Sequence, residues 1–275
     1  MANGMLNVPF PENEPILQYA PGSPERAELK AAYDELKSQQ IEIPLLIGGE
    51  EVTTGDLGDC RMPHDHGHLL GTYHKASAGQ VEQAIQAALK AHEAWSEMHW
   101  QDRVRIFLKA ADLLAGPWRA KINAATMISQ SKNAMQAEID AAAELIDFWR
   151  FNAFYLQQVY SEQPESNDGM WNVLEHRPLE GFVFAVTPFN FTSIGGNLPT
   201  APALMGNVAL WKPASSCVYS NYFIMKLLEE AGLPKGVINF VPGSGGQVGD
   251  PVLASEHLAG IHFTGSTEVF KGMWK

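Results

Sequence analysis

Four short segments carry the side chains best suited to chemistry, and each stands directly after a run of apolar residues. Residues 181–187 lead into Pro188-Phe189-Asn190-Phe191. An asparagine amide beyond a buried strand can donate to a developing oxyanion, and an asparagine in a structural turn is the other use of the same residue. Residues 208–211 lead into Lys212-Pro213-Ala214-Ser215-Ser216. A lysine there can donate to ribose hydroxyls or a phosphate, or can be an ordinary surface lysine. Residues 236–241 lead into Pro242-Gly243-Ser244-Gly245-Gly246-Gln247-Val248-Gly249. Its glycines let backbone N–H groups approach an anion at a helix start, but the spacing G-x-G-x-x-x-G departs from the dinucleotide fingerprint G-x-G-x-x-G. Residues 258–263 lead into Thr264-Gly265-Ser266-Thr267-Glu268, where Ser266 can cap a helix. Each segment alone has a purely structural explanation. The four together, each after a separate strand, favour a nucleotide site.

Other reactive residue types group less convincingly. His64-Asp65-His66-Gly67-His68 sets three imidazoles and a carboxylate within five residues, a set that could hold zinc or nickel or could form a polar turn after Met62-Pro63; no metal is expected. The two cysteines, Cys60 in the loop of the early hairpin and Cys217 after the Lys212 turn, are far apart and outside any Cys-x-x-Cys spacing. That excludes a disulfide framework and a zinc ribbon and fits a reducing compartment. The aromatic stretch Phe148-Trp149-Arg150-Phe151-Asn152-Ala153-Phe154-Tyr155 lacks the basic companions of a nucleic-acid stacking platform and suits a helix core or a pocket wall.

The elements that must position these residues are legible from period. Residues 1–40 hold closely spaced prolines (Pro9, Pro11, Pro15, Pro21, Pro24) and a helical pattern only over 25–40, so they read as an arm lying on something else. Residues 41–52 give two apolar runs around Gly48-Gly49, a β-hairpin. Ser77 caps a helix with Val81, Ala84, Ile85, Ala88, Leu89, His92 and Trp95 on one face. Further helices are expected over 102–114, 118–129 and about 133–160, making residues 41–160 a hairpin followed by a helical layer. Residues 161–169 are polar turn formers. From 181 to the last residue, short continuous apolar strands alternate with helices at about 192–206, 219–232 and 246–256. Such alternation indicates a doubly wound α/β domain with a parallel sheet covered on both faces, whose ligands bind at the carboxyl ends of the strands.

Composition narrows the classes. The 275 residues carry a formal charge of −12 with 45% hydrophobic residues, and no basic run offsets the acidity locally, so nucleic acid and anionic membrane surfaces are not expected as partners. Met1-Ala2-Asn3-Gly4-Met5 lacks the basic and apolar regions of a signal peptide, and no window has the length of apolar residues needed for a membrane span. The expected location is the cytoplasm, or the mitochondrial matrix in a eukaryote.

In order and spacing, Thr187-Pro188-Phe189-Asn190-Phe191, Gly206-Asn207-Val208-Ala209-Leu210-Trp211-Lys212-Pro213, Val241-Pro242-Gly243 and Phe263-Thr264-Gly265-Ser266-Thr267 resemble the aldehyde dehydrogenase superfamily. The resemblance extends to Ile47-Gly48-Gly49-Glu50 and to Ala94-Trp95 followed by Arg103. Residues 143–152, 189–198 and 201–207 narrow it to the branch that oxidises L-glutamate γ-semialdehyde, the open form of 1-pyrroline-5-carboxylate, to L-glutamate in proline degradation.

The resemblance implies roles for matching positions. Asn190 would be the oxyanion-stabilising amide. Lys212 and Ser215 would hold the adenosine ribose of NAD, although many members carry Glu where this chain has Ser215. Ser266 with Gly265 would meet the pyrophosphate, Gly245 and Gly249 would line the adenine side, and Pro188 and Phe189 would line the substrate and nicotinamide tunnel. Glu144 would point into the substrate pocket. Residues 161–180, Trp171 to Pro178 above all, look like the β-ribbon through which such enzymes form homo-oligomers. The family's chemistry needs a cysteine nucleophile and a glutamate base, and neither Cys60 nor Cys217 stands in a nucleophile-like context, so the chain reads as the amino-terminal, cofactor-binding half of an enzyme with the carboxy-terminal catalytic domain absent. A non-catalytic nucleotide-binding or assembly module, and a dehydrogenase for another aldehyde, remain open at this point.

Overall fold

The apolar runs of the second half form four parallel strands, β6 (Phe182–Val186), β7 (Val208–Lys212), β8 (Ile238–Phe240) and β9 (Leu258–Phe263) in chain order. Strands β6 and β7 lack polar alternation because both faces are covered, Phe182 to Ala185 and Val208 to Trp211 being buried throughout, whereas β9 at the sheet edge is only partly buried. Helices α7 (Thr192–Leu204), α8 (Val218–Ala231) and α9 (Gly245–Leu253) make the crossovers, and α10 (Thr267–Trp274) follows β9. The computed structural model describes residues 7–275, so the first six residues of the arm, with the segment read as lacking a signal peptide, lie outside the described residues.

The hairpin expected over 41–52 is present but is divided at Pro44. Strand β1 (Ile41–Ile43) precedes it, and β2 (Leu45–Ile47) pairs antiparallel with β3 (Glu50–Val52) around Gly48 and Gly49, both at positive φ (61° and 78°). That turn needs two left-handed residues, which glycine adopts at little cost. Strand β2 also joins the parallel sheet antiparallel to β8, giving the order β3-β2-β8-β7-β6-β9. Strand β1 turns away into a second sheet, order β1-β5-β4, with β4 (Leu57–Met62) and β5 (Asp65–His74). Cys60 therefore lies buried within β4 rather than in a hairpin loop. The His64 to His68 run straddles the β4–β5 turn, and its imidazoles diverge: His64 meets Ser131 Oγ at 2.8 Å, and His68 meets the Lys37 carbonyl at 2.9 Å. Among the described residues no His, Cys, Asp and Glu side chains gather as a metal-ligand set.

The helical layer follows the expected boundaries closely: α1 (Pro24–Ser38), α2 (Ala78–Glu97), α3 (Trp100–Ala115) and α4 (Arg119–Gln130). Ser77 caps α2 and its own N–H donates to Gln80 Oε1 at 3.1 Å, a capping box. The single helix expected over about 133–160 is interrupted. It runs as α5 (Ala134–Ala137), a π-helical turn over Glu138–Ala143, and α6 (Glu144–Ser161). Residues 161–180 contain one isolated antiparallel bridge, Asn167 to Met170, and otherwise no strand pairing within the chain; Trp171 is 92% exposed.

Three buried tryptophans anchor the layers because each indole N–H finds an acceptor. Trp95 donates to the Ala203 carbonyl at 2.9 Å, Trp149 to Thr200 Oγ1 at 2.9 Å and Trp211 to Thr187 Oγ1 at 3.1 Å. No helix among the described residues is long and apolar enough to cross a membrane.

Candidate functional site

Strand order reverses beside β6, since the chain moves from β6 through β7 to β8 and then returns to place β9 on the other side. An open α/β sheet leaves a crevice at such a switch point. Here a cavity of ≈ 970 Å³ opens at the carboxyl ends of the strands. It brings together Pro188, Phe189 and Asn190 after β6, Lys212 at the end of β7, Gly245 and Gly249 on α9, and Gly265 and Ser266 after β9. Eight of the residues singled out in the sequence thus share one crevice, drawn from four separate strand ends.

Its chemistry follows from how each is held. Lys212 is half-buried; desolvation lowers its pKa from the ordinary lysine value, and its ammonium donates only to the neighbouring Pro213 carbonyl at 3.3 Å. With no carboxylate partner among the described residues, its remaining donors are free for ligand oxygens. Ser244 caps α9, accepting from the Gln247 N–H at 3.3 Å, and Ser266 caps α10, accepting from the Val269 N–H at 3.3 Å. Each helix start therefore presents backbone N–H groups and the positive end of its dipole on the crevice. Gly245 is exposed and Gly249 is buried within α9; at neither does another heavy atom lie within 4 Å of where a Cβ would stand, so no side chain fills the cavity wall there. A phosphate- and ribose-bearing cofactor suits this set of donors and the open space beside the two glycines.

The loop after β6 is fixed by several elements. The Thr187 N–H donates to the Lys212 carbonyl at 3.2 Å, and Cys217 Sγ–H donates to the Phe189 carbonyl at 2.6 Å. The Asn190 carbonyl accepts from Lys132 Nζ, while Asn190 itself is exposed on the cavity. Burial pushes the Cys217 thiol up to about 12, and Cys60 likewise to about 12. Both are neutral thiols at physiological pH and poor nucleophiles.

Two residues fall outside the crevice. Ser215 is exposed on the 3-10 turn Ser215–Cys217; Ala214 lines the cavity in its place because Pro213 and that turn carry the chain outward. Glu144 accepts a hydrogen bond from Ser193 Oγ in the first turn of α7, and is committed there rather than to the cavity. Conversely, Asp250, Leu253, Val269 and Met273 line the crevice without having been singled out. Asp250 stands four residues after Gly246, the helical spacing that places both on one side of α9.

Comparison with known proteins agrees with this geometry. The aldehyde dehydrogenase family profile matches residues 53–275. The chain is 54% identical over 272 residues to the delta-1-pyrroline-5-carboxylate dehydrogenase of Agaricus bisporus, covering 98% of this chain and 50% of that protein. It is 51% identical over 263 residues to the mitochondrial human delta-1-pyrroline-5-carboxylate dehydrogenase, covering 96% and 47%. Among solved structures, the Mycobacterium tuberculosis delta-pyrroline-5-carboxylate dehydrogenase bound with NAD superposes with a TM-score of 0.98 at 51% identity, over 99% of this chain and 51% of that one. The chain spans about half the length of the curated relatives it matches.

Proposed function

The chain belongs to the aldehyde dehydrogenase family, and from that premise we propose that it forms the cofactor crevice and oxyanion donor of an NAD-dependent enzyme that oxidises L-glutamate γ-semialdehyde to L-glutamate. The observation that carries this reading is the convergence of Asn190, Lys212, Gly245, Gly249 and Ser266 on one cavity at the switch point. High identity to a relative solved with NAD supports it.

Lys212 would donate to ribose hydroxyls, the N–H groups at the starts of α9 and α10 would meet phosphate oxygens, and Pro188 and Phe189 would wall off the reacting end. NAD, when bound, supplies the acceptor for the hydride leaving the substrate carbon. Asn190 would donate its amide N–H to the oxygen that gains charge as a thiolate adds to the aldehyde, an interaction stronger in the transition state than in the ground state. Ser215 would help Lys212 hold the adenosine ribose, and Glu144 would stand on the substrate side. The ribbon segment 161–180, with Trp171 and Val173 exposed, is proposed to mediate homo-oligomer formation, and the working compartment to be the cytoplasm or, in a eukaryote, the mitochondrial matrix.

The test is steady-state NADH formation by the complete native protein with pyrroline-5-carboxylate or propanal. The reading predicts a kcat/KM for pyrroline-5-carboxylate at least about 100-fold higher, the discrimination available to a site that pairs polar groups of its substrate. Equal values would assign the enzyme another aldehyde.

A further inference from the structure

An oxyanion donor works only when its amide is held to within about 0.5 Å of its productive position. Asn190 sits in a loop without regular secondary structure, between β6 and α7, and is exposed on the cavity. Its position must therefore be imposed through the backbone. Downstream, Thr192 is locked in a buried hydroxyl cluster, with Thr126 Oγ1 at 2.8 Å and Gln130 Nε2 at 2.6 Å. At Asn190 itself the contact is Lys132 Nζ, which donates to its carbonyl.

Lys132 arrives from the loop between α4 and α5, which leaves α4 through Ser131 in the left-handed region (φ 55°). Its ammonium pairs with Asp140 Oδ2 at 2.5 Å and lies 4.3 Å from the centre of the Phe191 ring. The two side chains are 13% and 19% exposed, so the ion pair is largely withdrawn from water, where charge-assisted hydrogen bonds are directional and strong. Asp140 belongs to the π-helical turn over Glu138–Ala143. Within that turn Glu138 bonds Arg119 and Asp140 bonds Lys132, so its two acidic groups go to different partners, while Glu144, the first residue of α6, accepts from Ser193. Inserted π turns of this kind occur frequently at functional sites.

We infer that Lys132, oriented by Asp140, is a positioning residue that sets the Asn190 amide for oxyanion stabilisation, an inference that rests on the proposed role of Asn190. It holds a carbonyl and an aromatic ring of the loop and is not among the residues that line the cavity. Lys132→Met keeps the aliphatic stem and removes the donor.

In the complete native protein this variant should lower kcat about 10- to 100-fold, the scale of a misplaced catalytic group. Calorimetric NAD affinity should stay within about twofold, and Lys132→Arg should recover most of kcat because it restores the charge and donor. Adding Lys132→Met to Asn190→Ala should cost nothing further, since the group being positioned is already gone. Hydrogen–deuterium exchange of residues 187–193, which needs no turnover, should quicken in Lys132→Met. Unchanged exchange there, or a further kcat loss in the Asn190→Ala background, would overturn the inference. If Lys132→Met fails to fold, Asp140→Asn replaces it, with the same exchange and kcat criteria. If Asn190→Ala leaves kcat intact, the functional reading falls instead, and the exchange result alone decides whether Lys132 holds the loop.

Discussion

The proposed roles assign Asn190 to the transition state and Lys212 to the cofactor, a division that can be measured. Asn190→Ala in the complete native protein should lose about 10²–10³ in kcat, the scale of one oxyanion donor, with little change in the NAD constant. A change confined to the NAD constant would give the residue another task. Lys212 and Asn190 were legible in the sequence because each follows a continuous apolar run, and such runs end where a parallel sheet opens. Lys132 was not legible. It lies in a polar linker between two helices, and its target is 58 residues away in sequence, a pairing that only the packed helices create. Ser215, three residues after Lys212 in the motif, is exposed on the 3-10 turn and is not among the cavity-lining residues, where Ala214 stands.

Among elements, the π-helical turn and the arm it holds carry a testable charge lock. Leu17 N–H and Tyr19 OH donate to Glu138 at 2.9 and 2.6 Å, Arg119 bonds both Glu138 and Glu14, and Arg150 meets Glu14 at 2.6 Å. Glu138 is fully buried; burial alone would raise its pKa, but the hydrogen bonds from Arg119, Tyr19 and Leu17 outweigh that and hold it below the ordinary glutamate value of 4.5. A folded-state pKa below the unfolded one contributes stability in full above about 4.5, lost as pH falls through the lower folded value. Glu138→Ala, which strands Arg119, should cost about 3–5 kcal/mol in urea unfolding at neutral pH. Glu138→Gln should flatten the acid limb of the stability profile. An unchanged limb would move acid sensitivity to other carboxylates. The closely spaced prolines agree with the absence of helix or strand over residues 7–20, whereas the lock was not legible, because Glu138 sits in an alanine-rich stretch that reads as ordinary helix. Strands β4 and β5 were likewise hidden: the first three residues of β5 are exposed, so they show no apolar alternation.

For the whole molecule, the chemistry sets a limit. In the proposed route hydride leaves a tetrahedral adduct formed by a thiolate; Cys60 and Cys217 are buried neutral thiols, with Cys217 spent on the Phe189 carbonyl. A protein ending at Lys275 should therefore produce no NADH from pyrroline-5-carboxylate and NAD, and turnover abolished by Cys217→Ser or Cys60→Ser would relocate the nucleophile. The alternation of strand and helix made the sheet foreseeable, while the splitting of the first apolar run at Pro44 between two sheets was not, since nothing local distinguishes β1 from β2. The central claim, that the crevice between β6 and β9 holds NAD through Lys212, is tested most directly by calorimetric titration of NAD into the complete native protein and its Lys212→Ala variant. One site per chain is expected, weakened by about 1–2 kcal/mol in the variant, as loss of a charged hydrogen bond would do; equal affinity in the two proteins would show that Lys212 does not hold the cofactor.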